Sequence, residues 1–278
     1  MTMELRKTID IACAREKAQL VLKNCKIVCV FTGDIIEGDI AVENGYIAGV
    51  GTYEGSKELD MKGMYVSPGL IDSHVHIDKP IDGHSPGLTG NALSAYAAAG
   101  VRTDHECSST DEMRERLRLG MYVHIREGSA ARNLEALLEG VTLRNSSRCT
   151  FCTDDKHPHE LLEEGHIDSI IRKAVKRGLD VVDAIRMATI NPALCYGLKN
   201  TGAIAPGYKA DMVVFADLKD FRPNMVFKDG RLAARDGVPL FEVKPGTSEC
   251  MKARMDIKAF TPEDMQRRLD NLLGRKGD

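Results

Sequence analysis

The stretch PGLIDSHVHI, residues Pro68 to Ile77, gives the strongest indication of how this chain folds. Its apolar run leads into two histidines, His74 and His76, and side chains two residues apart lie on the same face of a β-strand. Two neutral imidazoles on one side of a strand end can bind a borderline metal ion such as zinc, iron or manganese. The stretch therefore predicts a buried strand that ends in a metal site.

After this stretch the sequence alternates between predicted strands and predicted helices. Three further candidate ligands, His84, His105 and Asp154, each follow a predicted strand. Repeated βα units form parallel sheets, in which the carboxyl ends of the strands lie at one edge. We therefore expect these side chains to lie at the same edge as the two histidines.

The sequences on either side of this α/β part contain short alternating strands and turns, which predict a small antiparallel β unit. We expect a composite β-sandwich domain formed by residues 1–66 and 206–245. A partial (β/α) barrel is expected over residues 67–205. The remaining residues, 246–278, are expected to form a C-terminal tail with a helix that begins near residue 261.

Composition excludes several classes of function. The net charge of −3 gives no electrostatic reason to bind nucleic acid or an anionic membrane, and the aromatic content is only 5% with no Trp. No apolar run is long enough to span a bilayer, and residues 1–18 lack the apolar region of a secretion signal. We expect a cytoplasmic protein whose eight cysteines are reduced, with Cys149 and Cys152 as buried apolar thiols.

An HxH pair, two single histidines on later strand ends and a final aspartate form the ligand order of the amidohydrolase superfamily. From about residue 18 to 265, the sequence resembles the bacterial adenine deaminases of that superfamily. The segments TDHEC (103–107), IREGSA (125–130) and CTDDKHP (152–158) indicate the adenine deaminase branch in particular. The other matching segments are PGLIDSHVHI (68–77), DGHSPGL (82–88), EEGHID (163–168), MATINPA (187–193) and GAIAPGYKADMVVF (202–215).

The resemblance implies an α/β fold with a TIM-like barrel, and a reaction that converts adenine and water into hypoxanthine and ammonia. The implied cofactor is a divalent metal, manganese or iron with zinc as an option, bound as a pair of ions in the family. The implied metal ligands are His74, His76, His84, His105 and Asp154. Asp154 and Glu106 are the implied catalytic groups, and the implied substrate contacts are Arg126, Glu127, Ser129 and Asp155.

The chain departs from the family pattern between the first two groups of ligands. Only seven residues, 77–83, separate His76 from His84. A (β/α)8 barrel of about 250 residues uses roughly 30 residues per βα unit. Three units should lie between the first and the fifth strand, so about a hundred residues are absent here. The carboxylate that bridges the two metal ions in the family would lie in that missing part, and the family's C-terminal region is also absent. We expect an incomplete barrel of about five strands, whose exposed edges favour a homo-oligomer.

The sequence leaves alternatives open. The chain could be an active adenine deaminase, a catalytically inactive remnant of one, or a cyclic-amide hydrolase of the same superfamily, which TDHEC and IREGSA disfavour. Asp154 and Asp155 could simply cap a helix, and Arg126 and Glu127 could form a surface ion pair. We expect structural roles for the remaining histidines, His124, His157, His159 and His166.

Overall fold

The computed structural model describes residues 3–74, 82–242 and 261, with side chains from residue 5 onward. The helices are α1 Met3–Ala12, α2 Gly90–Ala98, α3 Thr110–Arg118, α4 Leu134–Leu138, α5 Pro158–Glu163, α6 Ile167–Lys176, α7 Val181–Met187 and α8 Ile190–Cys195. The strands are β1 Ala18–Val28, β2 Ile35–Glu43, β3 Tyr46–Gly51, β4 Gly55–Asp60, β5 Tyr65–Pro68, β6 Thr103–Asp104, β7 Tyr122–Arg126, β8 Cys149–Cys152, β9 Met212–Phe215, β10 Pro223–Lys228, β11 Arg231–Arg235 and β12 Val238–Pro239.

The chain divides into two units, residues 1–241 and 242–278. Of the second unit the structure describes only Glu242 and Thr261, both exposed, so the predicted tail helix lies outside the described residues. The predicted boundaries at residues 66, 205 and 245 stay a prediction. All the strands and helices above belong to the first unit.

A nine-stranded sheet combines both ends of the first unit. Its order is β12-β11-β10-β9-β5-β1-β2-β3, with β4 also paired to β1. The antiparallel pairing of β5 with β9, from Tyr65 opposite Phe215 to Pro68 opposite Met212, joins the N-terminal and C-terminal segments. This pairing confirms a β unit built from both flanking segments, and a separate apolar core of residues such as Leu22, Ile40 and Phe227 supports it.

The expectation that this β unit is purely antiparallel is wrong. Strand β1 pairs in parallel with β4 over residues 18–23 and with β5 at residues 26–27. Asn24 lies between these two pairings with a φ of +54°, and the register of β1 with β2 shifts there. Because the bulge interrupts β1, one of its edges can pair with two successive strands.

A second sheet contains the three parallel strands β6, β7 and β8 in that order. The segment that ends at His74 lies beside β8, since Ser73 N donates to Phe151 O at 3.2 Å and Asp154 N donates to His74 O at 3.1 Å. Gly83 lies beside β6, where a Cβ atom would be 2.1 Å from Thr103 O. Two irregular segments therefore flank three regular strands, which confirms the partial barrel.

The predicted strand over residues 68–77 is regular only up to Pro68, where β5 ends. The amides that follow bond to loops instead of to a neighbouring strand: Gly69 N donates to Asp211 O and Ile71 N to Ala188 O, both at 2.8 Å. These contacts redirect the chain from the large sheet to the small one. Residues 75–77 lie outside the described residues.

One face of the small sheet is apolar. Val123 and Ile125 of β7 and Phe151 of β8 lie on that face and are fully buried with Ile170 of α6 and Ile185 of α7. The helices thus remove this face of the parallel sheet from water. Cys149 and Cys152 are buried within β8, and burial raises the pKa of the Cys149 thiol to about 12, as expected for apolar thiols.

Two predicted helices have different bounds in the structure. The sequence after β8 predicts one helix over residues 161–177 and a second over 181–189 that ends at Asn191-Pro192. The first is two helices, α5 and α6, because Gly165 adopts a φ of +100° between them. The prediction that Asn191-Pro192 ends a helix is also wrong: α8 begins at Ile190 and includes both residues. Pro192 lies in the first turn of α8, where a backbone N–H would have no partner within the helix.

Across the described ranges, no helix has the length and apolar character that a bilayer-spanning segment requires.

Asp39 on β2 links three parts of the large sheet. Its side chain is 9% exposed and accepts hydrogen bonds from Lys23 Nζ at 2.5 Å, Asn24 N at 3.1 Å and Tyr53 N at 3.2 Å. Burial raises the pKa of this carboxyl, but the bond from Lys23 and the two amide bonds outweigh burial and lower it below its ordinary value.

We predict that Asp39→Ala lowers the free energy of unfolding by about 2–3 kcal/mol, because it leaves a charged donor and two amides unpaired. A folded-state pKa below the unfolded value of about 3.9 stabilises the protein above that pH, and this contribution disappears as the pH falls through the folded-state value. Urea titrations at neutral pH and at pH values below 3.9 measure both effects. Glu37→Ala, at an exposed position of the same strand, is the control, and equal losses for the two variants would contradict the assignment.

Candidate metal centre

Three side chains from separate segments converge at the carboxyl edge of the small sheet. One donor atom from each of His74, Asp82 and His105 lies within 4.8 Å of the other two. Asp82 Oδ2 contacts His74 Nδ1 directly and lies 3.5 Å from His105 Nδ1. The two imidazole rings stack with their centroids 4.0 Å apart. The three side chains are 12%, 11% and 7% exposed, so the group is largely shielded from water.

This donor set fits a divalent transition-metal ion. Metal–nitrogen and metal–oxygen bonds of about 2.0–2.2 Å place ligand atoms up to about 4 Å apart around one ion. The three side chains need to move only slightly to reach such an arrangement, because their donor atoms already lie within 4.8 Å of one another. Two imidazoles and one carboxylate are a common ligand set for iron and zinc. His105 Nδ1 is also buried with no hydrogen-bond partner among the described residues. Such a nitrogen is poorly satisfied unless a cation binds to it.

The carboxylate of Asp82 is held in its ionised form. Gly83 N donates to Oδ1 at 2.8 Å, and the hydroxyl of Thr103 donates to the same oxygen. Burial opposes ionisation, but the facing imidazoles of His105 and His74 and the Thr103 hydroxyl outweigh it and hold the pKa of Asp82 far below its usual range. Asp82 therefore carries a negative charge at neutral pH.

Asp72 fixes the segment that carries His74. Its Oδ1 accepts from His74 N at 3.1 Å and Thr153 N at 3.2 Å, and its Oδ2 accepts from the Thr153 hydroxyl. His166 Nε2 lies 2.9 Å from Oδ2. One carboxylate thus joins the backbone of His74 to the end of β8, next to Asp154.

A buried ion pair holds the other side of the centre. Arg116 and Asp104 are both fully buried, with Arg116 Nε 3.0 Å from Asp104 Oδ2. The second oxygen of Asp104 accepts from Glu106 N at 2.7 Å, and Arg116 Nη2 donates to Ser85 O at 2.5 Å. The pair therefore connects α3 to the backbone of Ser85, just after His84, and to that of Glu106, just after His105.

Three charged side chains lie next to the converging group. Arg126 Nη1 is 2.5 Å from Glu106 Oε1 and 2.7 Å from Asp154 Oδ2. Asp154 Oδ1 is 3.5 Å from His74 Nε2, and Glu106 Oε1 is 3.3 Å from His105 Nε2. Burial raises the pKa of Asp154, but Arg126 and the imidazole of His74 lower it below its ordinary value. Both carboxylates therefore lie between Arg126 and an imidazole of the converging group.

The structure places the other predicted ligands differently. His84 is 68% exposed, and its Nδ1 lies 3.4 Å from His105 Nε2 and 3.3 Å from Glu106 Oε1. His84, His105 and Glu106 form a second group that could hold an ion, and this group shares His105 with the first. His76 lies outside the described residues.

Three predicted substrate residues organise a neighbouring loop. Glu127 pairs with Lys173 Nζ at 3.0 Å, and the Ser129 hydroxyl donates to Glu160. Asp155 accepts from Ser129 N at 3.0 Å and Ala130 N at 3.1 Å. The loop after β7 is therefore fixed by contacts with the residues that follow β8.

His124, for which a structural role was expected, lies beside the candidate centre, with Nε2 3.9 Å from Asp82 Oδ1. It is fully buried within β7, with Nδ1 2.5 Å from the Thr150 hydroxyl and Nε2 2.9 Å from the Tyr196 hydroxyl. Tyr196 also donates to Ser73 O at 2.5 Å. His166, for which a structural role was also expected, contacts Asp72 and so supports the candidate centre.

Sequence reasoning missed Asp82, Asp72 and Arg116. Asp82 belongs to the segment DGHSPGL, which was selected for its histidine. A search for carboxylates in the short connection between His76 and His84 would have found it. Nothing in the sequence distinguishes Arg116 from the other arginines of α3, because its burial depends on the long-range contact with Asp104.

Comparison with known proteins adds an independent finding. The model of the amidohydrolase family matches residues 77–233. The adenine deaminase of Clostridium acetobutylicum is 34% identical, covering 96% of this chain and 67% of the relative, and adenine deaminase 2 of Carboxydothermus hydrogenoformans is 33% identical, covering 94% and 66%. The chain thus spans about two thirds of the length of these curated relatives.

The first of these alignments extends over 383 positions, although this chain has only 278 residues. More than a hundred positions therefore have no residue in this chain. Among solved structures, a β-aspartyl dipeptidase from Fervidobacterium islandicum is similar in fold, with a TM-score of 0.58 at 15% identity, over 81% of this chain and 99% of that one.

We predict that Arg116→Ala lowers the free energy of unfolding by about 3–5 kcal/mol, because it leaves the fully buried Asp104 without a partner. Chemical denaturation followed by circular dichroism measures the change. Arg118→Ala, at an exposed position on the same helix, should change stability by no more than about 0.5 kcal/mol. Similar values for the two variants would show that the buried pair does not hold this side of the centre.

Proposed function

We propose that this chain, which belongs to the amidohydrolase family and to its adenine deaminase branch, is a metal-dependent hydrolase that converts adenine and water into hypoxanthine and ammonia. The observation that carries the proposal is the convergence of His74, Asp82 and His105, which come from three of the segments shared with adenine deaminases. These three residues would hold the ion. His76 is a predicted fourth ligand on the same stretch of chain as His74.

A bound divalent ion supplies Lewis acidity, which lowers the pKa of a coordinated water from 15.7 to about 7. Asp82 contributes one negative charge to the site, and the buried positions of His74 and His105 limit access of other water. Manganese, iron and zinc all suit two imidazoles and a carboxylate.

The carboxylates of Glu106 and Asp154 move the protons of the reaction. One of them accepts the first proton of the attacking water and delivers it to the purine ring nitrogen. The second proton of that water passes to the departing amine as the C6–N bond breaks and the C6=O bond forms. Each carboxylate is within 3.5 Å of an imidazole of the site, so a substrate atom at the metal would lie within reach of both. The products balance as hypoxanthine and ammonia.

The loop after β7 shapes the substrate side of the site. Glu127, Ser129 and Asp155 act there by fixing the loop backbone, because their side chains are already engaged by Lys173, Glu160 and loop amides. Arg126 orients the two proton-transferring carboxylates through its contacts with both.

We predict that Glu106→Gln lowers kcat for adenine by about 10²–10⁴-fold, because the amide keeps one of the two hydrogen bonds from Arg126 but cannot accept a proton. Ammonia release together with the fall in ultraviolet absorbance of adenine measures turnover in protein loaded with manganese, iron or zinc. Glu139→Gln, an exposed position, is the matched control and should retain full activity.

A folded, metal-loaded wild-type protein that releases no ammonia from adenine would contradict the proposed activity. Hydrolysis of dihydroorotate in place of adenine would assign the same centre to a cyclic-amide hydrolase. An unchanged kcat in Glu106→Gln would remove Glu106 from proton transfer and leave that role to Asp154.

A further inference from the structure

We propose that Tyr196 and His124 are positioning residues for the proposed metal ligand His74, which they hold in place through the backbone of Ser73. The inference rests on the ion site of the proposed function. It assigns a part in metal binding to two side chains that lie outside the ligand set, one on β7 and one just after α8.

A chain of three hydrogen bonds runs from β8 to the segment that carries His74. Thr150 lies opposite His124 in the parallel pairing of β7 and β8, and its hydroxyl is 2.5 Å from His124 Nδ1. His124 Nε2 is 2.9 Å from the Tyr196 hydroxyl, which in turn is 2.5 Å from Ser73 O. The chain therefore ends on the residue immediately before His74.

The direction of these hydrogen bonds follows from the carbonyl at the end of the chain. Ser73 O can only accept, so the Tyr196 hydroxyl donates its single proton there. The Tyr196 oxygen then accepts from His124 Nε2, and Nδ1 of the neutral imidazole accepts from the Thr150 hydroxyl. The carboxylate of Asp82, 3.9 Å from His124 Nε2, favours a proton on that nitrogen. One arrangement of protons thus satisfies all three bonds.

The backbone of Tyr196 is fixed to the small sheet by α8. Tyr196 N donates to Pro192 O at 3.0 Å, which keeps the residue at the end of the helix. Asn191, in the first turn of α8, donates to Ser146 O at 2.8 Å and to Cys149 O at 2.9 Å, at the start of β8. The tyrosine hydroxyl therefore reaches the ligand segment from a rigid support.

The Tyr196 bond fixes one side of the peptide plane that joins Ser73 to His74. This plane contains Ser73 O, which accepts from Tyr196, and His74 N, which donates to Asp72 Oδ1 at 3.1 Å. The C=O and N–H groups of a trans peptide point in opposite directions, so the two bonds hold the rigid plane from both sides. Without the tyrosine hydroxyl the plane can rotate, and the His74 imidazole must be ordered again whenever an ion binds.

Side chains that orient a metal ligand typically contribute about 10–100-fold to metal affinity. We therefore expect Tyr196→Phe to raise the Kd for Mn²⁺ by about 10–100-fold. The metal ligands and both proton-transferring carboxylates are retained, so saturating Mn²⁺ should restore kcat for adenine. Equilibrium dialysis with Mn²⁺ electron paramagnetic resonance measures the Kd, and ammonia release at increasing Mn²⁺ measures the rescue. A residue that served only the stability of the fold would change neither quantity in the folded protein.

Tyr122→Phe is the matched control. It removes a hydroxyl from the half-buried tyrosine two residues before His124 on the same strand, whose ring packs against the Arg148 guanidinium. Its Kd for Mn²⁺ should equal that of the wild type. His124→Gln keeps a side-chain N–H that can donate to Tyr196, so it should raise the Kd less than His124→Leu does.

The outcomes separate this inference from the proposed function. A wild-type Kd in Tyr196→Phe, or the same rise in Tyr122→Phe, would overturn the inference and leave the metal-dependent function in place. A folded wild type that binds no Mn²⁺ would remove both. If the wild type binds Mn²⁺ and releases no ammonia from adenine, the proposed reaction fails, and a raised Kd in Tyr196→Phe still supports the inference. If the His124 variants do not fold, the two tyrosine variants decide.

Discussion

The contact between the carboxylate of Asp82 and the imidazole of His74 holds together two segments that lie beside different strands of the small sheet. Seven residues, 75–81, separate the two, and such a connection spans at most about 25 Å. The segment of His74 lies beside β8 and that of Asp82 beside β6, on opposite edges of a three-stranded sheet. The sheet must therefore bring its two edges together at the carboxyl end. This geometry lets a chain that lacks more than a hundred aligned positions of its relatives still gather ligands from separate segments.

Two buried carboxylates stabilise this arrangement from either side. Asp72 ties the backbone of His74 to the end of β8, and Asp104 with Arg116 ties the segment after His84 to the residues after β6. Each irregular segment lacks a regular strand ladder, so side-chain acceptors satisfy amides that strand neighbours would otherwise satisfy. The centre thus depends on side-chain contacts over long sequence distances more than on regular sheet geometry.

The sequence predicted the parts of this structure that depend on local pattern or on shared segments. The partial barrel and the composite β unit are confirmed, and the structure brings His74, His105, Glu106, Arg126 and Asp154 into one neighbourhood. The parallel pairings of β1 depend on a bulge at Asn24, which no local pattern indicated. Gly165 divided an otherwise helical stretch because its positive φ interrupts the helix. Asp82 was missed because its role arises only when two distant segments are brought together by the short connection, which is a property of the fold and not of the motif.

We propose that His74, Asp82 and His105 hold a divalent ion. Anomalous diffraction from crystals of the protein soaked in Mn²⁺ locates such an ion without reference to activity. A strong peak should lie within bonding distance of both imidazoles and the Asp82 carboxylate. A peak that contacts other residues and not these three, or no peak at this position in well-ordered crystals, would rule this site out.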